Sequence, residues 1–587
     1  MIFMIPFAKN IRKQLFLIAI LCFATPIWAA TVDGFVTKVD SPTEFNIGTL
    51  HVVMDGNTVC ETETLKSNVE LENPESHILL ANHYFALQNH PIQKSMSSAS
   101  CNGLSLKVGS HVQMVGDAQY TKDNYSATQV ILFAIHFRQS VENEVMHYRW
   151  DSGALLEEKP NIAPSAQGWI GTMWLNGYPM RVTPDTVILT APSGTQMSYR
   201  LFNFLVGRPR MRAVIAPPPF PKISASLWQP NVWVTYIGAG PVNGRVLLYR
   251  VRLWPNQVDA KEKKFWSKLD PVIQAPDYQQ HIPGNLKFPH VGYGKALQIF
   301  PDQKVQNFVS NLGMSLIPQY QKELPDSDAS KIHFRFYVIK SVGTTFNKEM
   351  HRVNYFQGKV RSGCNETVIT LPSGLIMIPD AALARIGNVA GLAAVLSVAI
   401  TSVLQKDYYI ALHSRPDSCG MFCLDDNYDI DSGGYDFALE LCEHDLRIGI
   451  RQMYLAGYDI REAPFAWAVA QGKPVQNPVI NSKHPDQEIP WYAAYAFNYI
   501  SHYYQDVDYS KLKRGEREYQ HFLQELYKAD PSLPRPQTQL KPQASTRPQA
   551  AAQPAPQSSP AAPTASASPA ASPVAPSSAT PATTQAH

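Results

Sequence analysis

"NVAGLAAVLSVAITSVLQKD", Asn388 to Asp407, is the stretch on which the fold turns. Apolar residues fall on every face at helical spacing, the pattern of a helix enclosed on all sides rather than one lying on a surface. A bilayer span takes about 20 apolar residues, and the run from Asn388 to Leu404 barely reaches that. It also lies inside an alternation of strands and helices typical of a soluble α/β region. A buried core helix is therefore expected. It contains no His and no Glu.

The flanking sequence reads as a succession of elements. "VQNFVSNLGMSLIPQY", Val305 to Tyr320, is an amphipathic helix, and "KIHFRFYVIKS", Lys331 to Ser341, is a strand. "ETVITLPSGLIMIPDAALARI", Glu366 to Ile386, is a strand, a Pro-Ser-Gly turn, a second strand and a helix start. Downstream, "CEHDLRIGIRQMYLAGYDIREAPFAW" from Cys442 is a helix that closes at Gly457-Tyr458-Asp459. "NSKHPDQEIPWYAAYAF" from Asn481 comes last.

These five pieces, in this order, resemble the gluzincin zinc peptidases that include the CaaX prenyl proteases and the β-barrel assembly-enhancing protease. The resemblance covers about residues 298 to 500, a third of the chain. In that family the opening helix carries His-Glu-x-x-His, a later helix supplies a third ligand from Glu-x-Asp-x-x-Gly, and a Thr-His-Pro segment follows. Two histidines four residues apart share a helical face and chelate one ion, while the glutamate between them takes the proton of the bound water. Carried over by position, the first histidine falls on Val398, the glutamate on Ala399 and the second histidine on Ser402. Counting back from Gly449, the third ligand falls on His444, with Glu443 one residue out of register. His484 matches the His-Pro histidine. No His in the chain is followed by Glu, so the motif lies nowhere else.

No catalytic residue is therefore assigned. His444 and His484 remain as the residual metal candidates, one short of the three protein ligands that catalytic zinc takes. There is no G-x-S-x-G elbow and no phosphate-binding Walker loop. A hydrolytic set of Thr401, Ser402 and His444 is outweighed by capping and packing roles. The expected function is an exported pseudopeptidase that binds an envelope polypeptide or protein partner without cutting it and without a cofactor. The alternative is an active peptidase with a non-standard site and zinc.

The N-terminal part is different in kind. "DGFVTKVDSPTEFNIGTLHVVMDGNT" from Asp33 and "LKVGSHVQMVGDAQYTKDNYSATQVILF" from Leu106 alternate with period two between Gly, Asp and Asn turns, as short antiparallel strands do. The pattern recurs in "GWIGTMWLNGYPMRVTPDTVIL" from Gly168 and "LWQPNVWVTYIGAGPVNGRVLLYRVRLW" from Leu227. The pair resembles a bacterial envelope domain of unknown function, which implies OB-type barrels. The expected architecture is multidomain: two small all-β, OB-like barrel units at 31–140 and 165–254, then a linker at 255–290. An α+β gluzincin-peptidase-like domain follows at 291–527. A tail at 531–587 holds 13 prolines and no acidic or aromatic residue, a composition that buries no core and stays disordered. Contact with peptidoglycan or a membrane surface through the tail is left open by the sequence.

Lys9, Arg12 and Lys13 precede the apolar run Leu15 to Ala24 and a small-residue site at Ala29-Ala30. That layout is a secretory signal peptide over residues 1–30, with an uncleaved anchor as the alternative. Export places the mature chain in the periplasm or cell envelope. Apart from Cys22 the chain has six cysteines, and an even number in an oxidising space suggests disulfides. Cys60 and Cys101, both in the insertion of the first β unit, are expected to pair. Cys364, Cys419, Cys423 and Cys442 have three pairings open. The net charge of +3 gives no nucleic-acid footprint.

Overall fold

The computed structural model describes residues 30–66, 93–116, 124–133, 154–190, 227–242, 245–256, 258, 260–270, 285–286, 297–341, 368–407, 434–473, 475, 477, 479–480 and 489–535. The chain divides into Met1–Pro536 and Gln537–His587, and the described residues all belong to the first. Residues 1–29 of the expected signal peptide, 536–587 of the expected tail, His484, Cys364, Cys419 and Cys423 lie outside them.

The first sheet holds β1 (Ala30–Phe35), β2 (Lys38–Ser41), β3 (Glu44–Ile47), β4 (Leu50–Lys66), β5 (Gln93–Ala99), β6 (His111–Gly116) and β7 (Asn124–Leu132). Their order is β2-β3-β4-β7-β6-β1, with β5 on β4. Only Val36 and Thr37 separate β1 from β2, and Thr37 N–H bonds Asn46 O at 2.8 Å. One stretch of chain thus pairs with both ends of the sheet, which curls into a half-barrel. Alternation does the rest: Val32, Phe45, Ile47, Val52, Val112, Met114 and Val130 fill its interior. Cys60 and Cys101 are disulfide-bonded, with Cα atoms 5.2 Å apart. Cys60 lies within β4, opposite Ala99 of β5, rather than in the insertion loop.

The second sheet holds β8 (Ala154–Leu155), β9 (Asn161–Ser165), β10 (Gly168–Leu175), β11 (Tyr178–Val182), β12 (Val187–Thr190), β13 (Val232–Val242) and β14 (Arg245–Pro255), in the order β8-β13-β14-β11-β10-β9 with β12 on β14. In both sheets the last strand runs antiparallel to its predecessor and parallel to an earlier strand. They differ at the start: β1 pairs with β6, whereas its sequence counterpart β10 pairs with β9 and β11. The first sheet keeps its own core. That of the second is continuous with the helical part, for Met173, Trp233 and Val251 join Leu392, Leu396 and Trp467 in one cluster.

Helix α1 (Ala260–Leu269) falls within the stretch expected as a linker and buries Glu262 and Trp266. Beyond β15 (Asn285–Leu286) and β16 (Leu297–Gln298), the expected helix over Val305–Tyr320 is two, α2 (Gln303–Leu316) and α3 (Gln319–Glu323). Pro318 has no N–H to donate and holds Ile317 extended, at ψ 132°, which ends α2. The strand, turn, strand and helix come as read: β17 (Arg335–Ile339), β18 (Ile369–Thr370), β19 (Leu375–Pro379) and α4 (Asp380–Arg385). β19 lies between β17, parallel, and β18, antiparallel.

Helix α5 (Val389–Leu404) is the opening stretch, and all of it but Ser402 is buried. Asn388 caps it, its side chain accepting from Gly391 N–H at 2.7 Å. Packed around it are α6 (Gly434–Leu455), α7 (Ala463–Gln471) and α9 (Glu516–Ala529), with α8 (Trp491–Tyr503) behind α6 and α7. A two-residue strand, β20 (Val479–Ile480), joins the edge of the first sheet beside β1. No helix among the described residues is long and apolar enough to cross a membrane.

Candidate functional site

Of the positions that the resemblance singles out, Val398 lies where α5 meets α6. Val398 is 2% exposed and Ala399 0%. Across from them Gly449 brings α6 so close that a Cβ there would stand 2.7 Å from Val398 Cγ2 and 3.2 Å from its backbone nitrogen. Ser402 is half-buried. Of the positions carried over from the resemblance, Val398 sits at a tight helix crossing, with a side chain of the size the gap admits.

His444, one turn and a residue before Gly449 on α6, is committed elsewhere. Its Nε2 hydrogen-bonds the Oδ1 of Asn176, at the tip of the β10–β11 hairpin. Asn176 Nδ2 donates to Tyr236 OH at 3.0 Å, so its Oδ1 faces the imidazole as acceptor and the Nε2–H tautomer donates. Burial, with the Arg447 guanidinium beside it, pushes the imidazole down to about 3, so it is neutral.

The rest of the tip is held as closely. Arg447 Nε donates to Asn176 O at 2.9 Å, its Nη1 to Tyr495 OH at 2.6 Å, and its guanidinium lies 4.3 Å from the Tyr178 ring. Tyr499 OH donates to Gly177 O. Asn176 at φ 54° and Gly177 at φ 76° both take the left-handed conformation that a two-residue turn joining twisted strands requires. A Cβ on Gly177 would fall 2.6 Å from Arg447 Cβ. Sequence reasoning passed over Asn176, Gly177, Arg447 and Tyr499. The Asn-Gly pair between alternating runs signals the turn, but nothing in it announces that the turn docks against His444.

The end of α5 carries three buried polar residues, each reaching a different element. Gln405 Oε1 accepts from Leu155 N–H at 3.3 Å. Lys406 takes a left-handed backbone at φ 58° and sets its Nζ 3.2 Å from Glu262 of α1. Asp407 shares a hydrogen bond with Asp445 of α6, and each keeps one buried carboxyl oxygen without a partner among the described residues. Burial lifts Asp407 to about 7, while burial and the Asp407 carboxyl raise Asp445 well above the carboxylate range. The Asp445 carboxyl thus keeps its proton at neutral pH and donates it to Asp407.

Among the described residues no group of three or more His, Cys, Asp or Glu is placed to hold a metal ion. Cys442, at the start of the same stretch of α6, is disulfide-bonded. No protein-family model matches the chain, and no curated protein matches it.

Proposed function

We propose that this protein is an exported, non-catalytic scaffold: a zinc-peptidase-like helix pair and sheet that bind an extended polypeptide and do not cut it. The observation that carries this reading is the α5–α6 crossing. Val398 packs on Gly449 at the position of a ligand, and His444, at the position of another, is neutral and bonded to Asn176. Gluzincin peptidases hold substrate as an added strand beside their sheet, a mode built on backbone hydrogen bonds rather than on metal. The three strands β17, β19 and β18, with the helix after them, supply the corresponding part here. The first sheet supports an OB-type reading through its order and its parallel β4–β7 pair. Its docking on the helical part favours a role in holding partners. Arg461 Nη1 donates to Thr37 O at 3.1 Å, and Asn477 brackets the backbone of Phe35.

One observation favours the second reading, an enzyme without zinc. Asp407 and Asp445 are a carboxyl pair of the kind that acid–base hydrolysis uses. Their enclosure counts against it, for at 6% and 2% exposure neither offers a face to a substrate. The test is full-length protein mixed with a fluorescent, reduced and carboxymethylated polypeptide. The scaffold reading expects a saturable rise in anisotropy with the probe intact on a gel. Fragments that persist with chelator and vanish in Asp445→Asn establish the enzyme, and neither binding nor cleavage removes the polypeptide as ligand.

A further inference from the structure

Where the second β unit meets α6, two carboxylates face one guanidinium. Glu158 pairs with Arg451, whose guanidinium also lies 3.7 Å from the Trp174 ring of β10. Beside it, Glu157 accepts from Gln452 Nε2 at 2.9 Å. Among the described residues, the groups that face the Glu157 carboxyl are Arg451 and Gln452 from α6, Glu158 from its own segment and Tyr320 from α3. Arg451 is the only cation among them, and it is already engaged by Glu158. Glu157 is half-buried as a residue, but its carboxyl is turned inward against Gln452.

We propose that this joint is a pH-sensitive latch, closed while Glu157 keeps its proton and loosened when Glu157 ionises. An ionised Glu157 would be a second negative charge beside a cation whose charge is balanced, with its carboxyl turned away from water. Burial lifts the carboxyl from 4.5 to about 7, against the opposing pull of Gln452 and Arg451. Because the folded value lies above the unfolded one, the contribution to stability is complete below pH 4.5 and is lost as pH rises through about 7. The consequence reaches further than the joint. Leu155 in the same segment holds Gln405 at the end of α5, and β10 leads from Trp174 to the Asn176 tip over His444. Loosening it weakens the hold of segment 154–158 on α6 beside the proposed site, while the shared core keeps the second β unit on the helices. The inference rests on the charges at the joint and stands whether or not the site binds polypeptide.

The test is thermal unfolding and hydrogen exchange of the full chain across the interval from about pH 4 to about pH 8.5, which brackets both values. In the wild type, opening of segment 154–158 should rise by up to about tenfold per pH unit between about pH 4.5 and about pH 7 and level off above it, the response to one proton. Glu157→Gln, the same shape without the ionisation, should hold a flat profile. Glu158→Gln frees Arg451 to pair with Glu157 and should move the midpoint to lower pH. A wild-type profile that is flat, a Glu157→Gln profile with the wild-type slope, or a Glu158→Gln midpoint that does not move would each overturn the proposal. Should Glu157→Gln not fold, the Glu158→Gln midpoint decides it.

Discussion

Val398 of α5 and Gly449 of α6 meet in a contact that admits no further atom: a Cβ on Gly449 would lie 2.7 Å from Val398 Cγ2. Gly449→Ala should therefore destabilise the protein by about 1–3 kcal/mol, the usual result of overfilling a packed interior. Val398→Ala should also destabilise, by leaving a void. The two together should recover stability relative to Gly449→Ala alone, a coupling that denaturant melts of all four proteins measure. Strict additivity would mean that the helices do not cross there.

The hairpin tip should be as intolerant as the crossing. Gly177→Ala places a Cβ against Arg447 at φ 76°, where an L side chain is strained as well as crowded, so a loss of about 2 kcal/mol or more is expected. Asn176→Gly keeps the turn but removes the acceptor for His444. It should be milder and should leave the imidazole without its partner. Denaturation midpoints check both, and a Gly177→Ala midpoint equal to that of the wild type would place the tip away from α6.

Acid should weaken the protein through His444. Its folded-state value of about 3 lies below the ordinary 6.5, so the unfolded chain takes the proton first. The stability this group contributes is present above pH 6.5 and is lost as pH falls towards 3. The loss is on the order of a few kcal/mol. His444→Asn, which cannot titrate, should flatten that part of the stability–pH curve. An unchanged acid slope would mean that the imidazole is hydrated in the folded state.

Reduction should act on the first β unit. The Cys60–Cys101 bridge closes a loop of 41 residues, and loss of a link of that span costs about 4 kcal/mol by the chain-entropy estimate. The double variant Cys60→Ala/Cys101→Ala should melt early, with hydrogen exchange rising first in β4 and β5. Mapping under non-reducing conditions that finds both thiols free would contradict the pairing.

Much of this was legible in the residues, for reasons that differ from place to place. Helix α5 could be read because its apolar surround has only one explanation inside an α/β pattern, and the Cys60–Cys101 pair because no other cysteine lies near it in sequence. The joint near Pro318 was misread as one helix, since the apolar periodicity runs across Ile317-Pro318 and outweighed the missing N–H. The segment after Pro255 looked like a linker because its charges, Glu262 among them, suggest solvent, yet Glu262 is buried by its pairing with Lys406. Hardest to see was the docking of Asn176 on His444, 268 residues apart. Each residue is locally ordinary, and only the tertiary fold brings the two together.

Metal content tests the central claim most directly. Full-length protein incubated with equimolar zinc, passed through a desalting column and analysed for bound metal should retain far less than one ion per chain, and His444→Ala should not change the result. One zinc per chain, lost in His444→Ala, would mean that the imidazole leaves Asn176 for a metal and that the site is a working zinc centre after all.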